Sequence, residues 1–339
     1  MAVVLSVRIE YLDFAAWSEL LPDEGYSVFH QPEVLRVIDE HATSDVQLLG
    51  GFRGAEPVAL LPVFIRRLKF VKIISSPSPG LSVPWIGPIL LSKISKPRTQ
   101  EMTNREFTEA VFELLDIDTP FILFRMLCCP SYTDPRPYIW ADLEVAPRFT
   151  LRIDLEDRSE EEVLMSFSGD VRSEIRTGEA LDVEIKVRGV DAAARIYDDY
   201  SDRYEELGMN LPTSREFTCD LVTALDHRAR AYVAETPEGE FLGGILVLYS
   251  NDGAFSWQGG MRAEYEGVSV NSLLDWRVIE DILTDPALSS VKWYDLGNAN
   301  IDRLSHYKSK YNPELVRYYE VNSGKLITLA KLIYNYNFR

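Results

Sequence analysis

Cysteine, histidine and long apolar runs are all scarce in this 339-residue chain. The three cysteines are Cys128, Cys129 and Cys219. Adjacent cysteines rarely pair with each other, and an odd count supplies no disulfide framework. A reducing cytoplasm is the compartment this fits. The four histidines stand at no metal-ligand spacing, so no metal site is expected. The longest apolar stretch, Ile73 to Leu91, is interrupted by Pro77, Pro79, Pro84 and Pro88. Nothing approaches the roughly 20 apolar residues that a membrane span requires. Arg8 and Glu10 follow almost at once on a short apolar start, which argues against a signal peptide. No Gly-x-Ser-x-Gly elbow, Ser/His/Asp set or Cys/His pair occurs, so a covalent nucleophile is not expected. Cys128 and Cys129 close a strand-like segment and read as buried, unreactive thiols.

What the chain does have is enough apolar residue to fold. A hydrophobic fraction of 46% is that of a globular protein, and the length suits two domains of ordinary size. The formal net charge of -18 argues against unspecific binding of nucleic acid by the whole surface, and no DNA partner is expected. The charge is uneven, however. From Arg303 onward the basic residues Arg303, Lys308, Lys310, Arg317, Lys325, Lys331 and Arg339 face only Glu314 and Glu320. Arg66, Arg67, Lys69 and Lys72 form a second basic run. A solvated face is the plain alternative for both.

The chain reads as one motif used twice. In the first half a helix over Pro32–His41 starts with proline in its first turn. Strands are expected at Val46–Phe52 and Pro57–Ile65, a helix at Asn104–Leu115 capped by Asn104, and a strand at Phe121–Leu127. In the second half Ser214 caps a helix over Arg215–Leu225. Strands follow at Ala229–Ala234, Phe241–Tyr249 and Ala254–Gly260, then a helix at Val270–Leu283 and a strand at Val291–Leu296. Helical segments at Glu160–Ala180 and Val190–Leu207 precede the second set. The repeated order of helix, hairpin, helix and strand implies a duplicated α/β unit with a mixed sheet. The boundaries drawn are 1–147 and 148–321, with the tail 322–339 returning to the first domain.

Chemistry concentrates near the C-terminus. Asp295-Leu-Gly-Asn places a strand end, a glycine and an asparagine shortly before Tyr307-Lys308-Ser-Lys310-Tyr311. A lysine beside aromatic rings can hold an anionic acyl carrier or a developing oxyanion. A surface lysine on a short helix is the alternative. Trp257-Gln-Gly259-Gly260 ends a strand where glycines allow close backbone approach, or else forms a bulge with a packed tryptophan. Asn271 opens the next helix as a cap or as a ligand contact. Arg172 and Arg176 share one helical face and could grip a phosphate or carboxylate, or pair with Glu174 and Glu179.

These motifs, taken in order, resemble the two-domain FemABX-type N-acyltransferases of the GNAT superfamily. The resemblance runs through Phe29-His-Gln-Pro32, Leu60-Leu-Pro62, Tyr138-Ile-Trp140, Arg148-Phe-Thr-Leu-Arg-Ile-Asp-Leu155, Arg172-Ser-Glu-Ile-Arg176, Tyr294-Asp-Leu-Gly297, the Tyr307–Tyr311 tract and Tyr318-Tyr-Glu-Val321. It implies two tandem GNAT-like domains, with the active site in the second, near the cleft between them. It implies transfer of an acyl or aminoacyl group to an amine, on a small-molecule or glycan-precursor acceptor of the cell envelope or a polysaccharide. It puts Tyr307 and Lys308 on the family's aromatic–lysine pair at the acyl-transfer centre, with Asp295 orienting them. Trp257, Gly259, Asn271, Arg172, Arg176 and Arg262 become substrate-contact candidates. The family's aromatic is usually phenylalanine, and its second glycine is Asn298 here. No general base can be named. No cofactor is expected to be tightly bound. Acyl-CoA or aminoacyl-tRNA serves as co-substrate, and tRNA is a possible partner. The junction Met261–Val270 holds one glycine, Gly267, and the glutamates Glu264 and Glu266, a poor cradle for a pyrophosphate. A non-catalytic GNAT-like module binding a glycan or nucleotide-sugar is the alternative from another class.

Overall fold

A computed structural model describes residues 6–91, 96–260 and 263–323. The chain divides into two compact units: one takes the chain up to Arg148 and again from Arg317, the other is Phe149–Val316. The chain passes into the second unit within one strand and returns within another. The expected return of the tail beyond Ser323 lies outside the described residues.

The first unit contains β1 (Arg8–Leu12), α1 (Phe14–Leu20), α2 (Pro32–His41), β2 (Asp45–Arg53), β3 (Glu56–Leu68), β4 (Val71–Ser76), β5 (Ile89–Leu90), α3 (Pro97–Leu115), β6 (Ile122–Leu127) and α4 (Arg136–Trp140). Proline at the first position of α2 costs no hydrogen bond, and Val34, Leu35, Val37 and Ile38 turn one face inward. α3 starts seven residues before Asn104, which is therefore not a cap. Asn104 is instead a buried helix residue whose amide donates to Asp134 O at 2.8 Å and accepts from the Tyr132 hydroxyl at 2.8 Å. Phe107, Val111, Phe112 and Leu115 of α3 cover the sheet, as their spacing requires.

The second unit contains the latter part of β7 (Glu144–Asp154), α5 (Glu160–Ser166), α6 (Gly169–Glu179), β8 (Glu184–Arg188), α7 (Val190–Glu206), α8 (Arg215–Leu225), β9 (Ala229–Glu235), β10 (Phe241–Tyr249), β11 (Gly253–Gly259), a two-strand hairpin β12 (Glu264–Tyr265) and β13 (Val268–Ser269), α9 (Val270–Thr284), β14 (Trp293–Asn298), α10 (Asp302–Lys308) and the first residues of β15 (Glu314–Asn322), most of which belongs to the first unit. Ser214 caps α8 by accepting from Phe217 N at 3.1 Å. α9 is buried along most of its length.

The two units share one strand plan. In the first, β2, β3 and β4 form an antiparallel meander, and β6 then pairs β4 in parallel after the crossover helix α3. In the second, β9, β10 and β11 form the meander, and β14 pairs β11 in parallel after α9. Parallel neighbours need such a helix, because a tight turn cannot reverse the chain twice. The units differ at one place. β4 and β6 stay paired through Ser76↔Met126. β11 and β14 pair only at Gly253↔Trp293, Ala254↔Tyr294 and Phe255↔Asp295. Beyond that point β11 follows β10 and β14 follows β7, so the two strands part into a fork.

A bulge shapes the β11 arm of the fork. The register against β10 shifts between Leu246↔Gln258 and Val247↔Ser256, leaving Trp257 as the extra residue. Trp257 packs edge-on against Phe217 with ring centroids 6.1 Å apart. Gly259 has φ +99°, and a Cβ there would stand 2.2 Å from Gly244 O and 2.9 Å from Ile245 Cα. Backbone, unlike a side-chain tip, cannot swing away. Gly259→Ala is therefore expected to destabilise the second unit by about 2–3 kcal/mol through strain and overpacking. A lowered urea midpoint at unchanged slope checks this, and a neutral result would remove the close-approach argument.

Candidate active site

The site is assembled at the fork. β14 ends in Asp295-Leu-Gly297, and the buried Asp295 carboxylate fixes this turn. One of its oxygens accepts from the Thr150 hydroxyl and from Gly297 N at 2.8 Å, and the other from Arg152 Nε at 2.8 Å. The Arg152 guanidinium in turn lies over the Trp293 ring at 3.8 Å from its centroid. With both oxygens so engaged, Asp295 holds the β14 arm in place. Gly297 has φ +80°, and the space its missing side chain leaves is lined by Lys308 Nζ at 3.7 Å, the Phe255 ring at 3.8 Å and Ser256 O at 3.8 Å. The ammonium of Lys308 therefore sits where β11 and β14 separate.

Lys308 is half-buried at the end of α10 and is no free surface lysine. Loss of solvent pulls its pKa below the ordinary lysine value, while the charges of Asp275 and Asp295 oppose that shift. Asp275, on α9, accepts a hydrogen bond from the Tyr294 hydroxyl at 2.8 Å. Burial pushes its carboxyl up to about 6, against the restraining effects of Tyr294, Lys308 and Tyr311. Tyr307, next to the lysine, meets the Tyr311 hydroxyl at 3.2 Å. Tyr311 donates to Ser272 Oγ at 3.3 Å, and Ser272 donates to Glu174 at 2.5 Å. A chain of hydroxyls thus links α10, α9 and α6 around the ammonium. Desolvation raises the phenol pKa values of Tyr307 and Tyr311, which keeps both rings neutral donors.

The remaining sequence-derived residues fall into separate places. Asn271 donates from its amide to Gly260 O at 2.9 Å and ties the end of β11 to the start of α9. Trp257 and Gly259 form the bulged β11 arm. Arg172 and Arg176 lie on the outer face of α6, with Gly169, Ser173, Thr177 and Ala180, along a groove of about 460 Å³. Among the described residues neither pairs with a carboxylate; Glu174 turns inward to Ser272 instead. Arg262 lies outside the described residues. Cys128 and Cys129 are buried in the first unit, and burial raises the Cys128 thiol far above its ordinary value. Among the described residues no group of side chains could hold a metal ion. None of the described helices is long and apolar enough to cross a membrane.

Asp275 escaped the sequence reading. It stands in an apolar helix, and its only sequence signal is its spacing from Asn271 and Ser272, which puts three polar side chains on one face of α9.

The geometry predicts a stability signature. A buried base with a lowered pKa costs the fold free energy while it is protonated, and the cost lifts only as pH rises through the folded-state value. Lys308→Met keeps the stem and removes the charge. At pH 7 its melting temperature should equal or exceed the parent's, and the difference should narrow as pH rises. A core truncation such as Leu274→Ala should instead cost about 2–5 kcal/mol. A comparable loss for Lys308→Met would make the lysine a structural element.

Residues 165–309, which contain this fork, match the acetyltransferase (GNAT) domain family. No curated protein shows significant similarity to the sequence. Solved structures do resemble it in fold. FemX superposes with a TM-score of 0.65 at 11% identity, over 96% of this chain and 99% of that one. The C-terminal domain assigned to a lysylphosphatidylglycerol synthetase of Agrobacterium fabrum gives 0.57 at 10% identity, over 94% of each chain. A tandem GNAT protein from the clavulanic acid biosynthesis pathway gives 0.52 at 13% identity, over 94% of this chain and 98% of that one. Residues 165–309, within the second unit, thus match a GNAT acetyltransferase domain, and the whole chain shares its fold with FemX and the tandem GNAT protein.

Proposed function

We propose that the protein is a cytoplasmic N-acyltransferase that moves an aminoacyl group from tRNA to an amine on a cell-envelope or polysaccharide precursor. The observation that carries this is the placement of Lys308 Nζ at the fork between β11 and β14. An acyl carbonyl entering the fork meets a desolvated ammonium. As the amine attacks, negative charge grows on the carbonyl oxygen, and a fixed cation in a poorly solvated site stabilises that charge more than the neutral ground state. Tyr307 lines the same site, and Asp295 holds the turn that leaves it open.

The donor is argued from the start of α9. In this position a coenzyme-A site offers free backbone N–H groups to a pyrophosphate. Here the β12–β13 hairpin leads into the helix, with Glu266 and Gly267 at its turn. Val270 N is already bonded to Ala263 O at 2.9 Å. An anion would meet Glu264 and Glu266 and find one N–H fewer. An aminoacyl ester needs no such cradle. Arg172 and Arg176, without a carboxylate partner among the described residues, are suited to a phosphate backbone.

Three measurements test this. Calorimetric titration with acetyl-CoA at low salt should give a dissociation constant above about 1 mM, or no more than about 4 kcal/mol of binding. Bulk aminoacylated tRNA should bind more tightly and lose affinity steeply with salt, with a shallower slope in an Arg172→Glu/Arg176→Glu variant. Micromolar acetyl-CoA binding would make the donor an acyl-CoA. Binding of neither would favour a non-catalytic glycan or nucleotide-sugar module. In a transfer assay with nucleotide-activated amino sugars as acceptors, Lys308→Ala should cut turnover by about two to three orders of magnitude. Activity within a few-fold of the parent would remove Lys308 from the mechanism.

A further inference from the structure

Acyl transfer from any donor needs a group to take the proton of the attacking amine, and no motif in the sequence supplies one. We propose that Asp275 is this group, with Tyr294 positioning it. The inference rests on the acyl-transfer reading and adds its missing base.

Several independent features converge on Asp275. It is carried by α9, the crossover helix between the two strands that part. Its carboxylate is oriented by the Tyr294 hydroxyl at 2.8 Å, and Tyr294 lies at the last paired stretch of β14. Around the ammonium, Tyr294, Asp295, Tyr311 and Ser272 are buried, whereas Asp275, Ser256, Tyr307 and Lys308 keep partial access to solvent. Asp275 belongs to the partly exposed residues of the cluster, whereas Asp295 is closed off and saturated by Thr150, Arg152 and Gly297. Electrostatic coupling to Lys308 places base and oxyanion stabiliser in one site.

The charged and titratable groups facing Asp275 are Tyr294 of β14, Lys308 and Tyr307 of α10, and Tyr311 just beyond it. Asp295 bears on Lys308 from β14, and Glu174 of α6 on Tyr311 through Ser272. Lys308 is the cation among them. Burial leaves the carboxyl titrating at about 6, so it is largely ionised at neutral pH yet basic enough to accept a proton. The step balances. The amine nitrogen bonds to the acyl carbon and gives its proton to Asp275, the bond from the acyl carbon to the donor oxygen breaks, and the proton on Asp275 passes to the departing oxygen. The carboxylate is regenerated with no further reactant.

Two measurements decide the matter. In carboxyl-labelled protein the Asp275 resonance, identified by its loss in Asp275→Asn, should titrate near pH 6. Tyr294→Phe keeps the ring and removes the hydroxyl, and should raise the proton affinity of Asp275 about tenfold, as should Lys308→Met. Titration near the ordinary aspartate value of about 4, unmoved by either change, would overturn the assignment. In the transfer assay Asp275→Asn should lose about a hundredfold in kcat, with KM within a few-fold of the parent, and should lose the rise in rate through pH 6. Asp275→Glu should recover part of the rate. A parent that turns over while Asp275→Asn keeps its rate and pH profile overturns this assignment alone. A parent inert with every donor and acceptor pair overturns the acyl-transfer reading, and the role of Asp275 with it.

Discussion

A half-buried ammonium is the constraint around which the second unit is organised. Lys308 loses solvent at the fork, and a lone charge there would sooner give up its proton than remain. Two carboxylates on different elements oppose that outcome, Asp275 from α9 and Asp295 from β14. Each is itself restrained: Asp295 by Thr150, Arg152 and a backbone amide, and Asp275 by Tyr294. A charge held this way cannot relax toward a new dipole without cost. On the acyl-transfer reading proposed above, that rigidity would let it favour a transient oxyanion over a neutral carbonyl. The tyrosine–serine–glutamate chain does similar work on the other side, by fixing α10 against α9 and α6.

The duplication makes the site's location intelligible. Both units build the same meander and crossover, so the fold alone would permit a fork in either. In the first unit β4 and β6 remain paired to the end of β4. In the second, two local devices stop the pairing early. A bulge places Trp257 against Phe217 of α8 in the β11 arm, and Asp295 binds the N–H of Gly297, where the register of β14 against β7 also shifts. Where the strands diverge, the Lys308 ammonium stands beside Gly297, Phe255 and Ser256.

Much of this was legible in the sequence, and the limits are instructive. α2 and α8 were readable because Pro32 and Ser214 mark their starts and an apolar face follows. The strand run Phe241–Tyr249 was readable because continuous apolar residues between turns suit a central strand. Asn104 was misread. Its residue type favours a cap, but tertiary partners, Asp134 O and Tyr132, hold it inside a longer helix that proline begins at Pro97. The Tyr307–Lys308 pair could be singled out only as a local cluster, and the half-burial of Lys308 beside Gly297 at the fork is not readable from that pattern. Asp275 could not be found by local pattern. Its importance comes from residues 19 and 33 positions away, Tyr294 and Lys308, which only the fold brings to it.

Surface charge bears on the donor in a way that net charge conceals. A chain at -18 repels polyanions at long range, but salt screens that repulsion beyond about 8–10 Å at moderate ionic strength. Recognition of a phosphate backbone is then decided locally. Arg172 and Arg176 stand four residues apart, without a carboxylate partner among the described residues, on the outer face of α6. The inner face of the same helix sends Glu174 to Ser272 and so reaches the hydroxyl chain around Lys308. One helix therefore presents basic groups outward and touches the hydroxyl chain of the candidate site inward. A polyanionic carrier could dock on the first face while its acyl terminus enters the fork. A small coenzyme would need its phosphates held at the start of α9, where Glu264 and Glu266 stand and Val270 N is already bonded. The net negative charge would weaken nonspecific contacts with a polyanion.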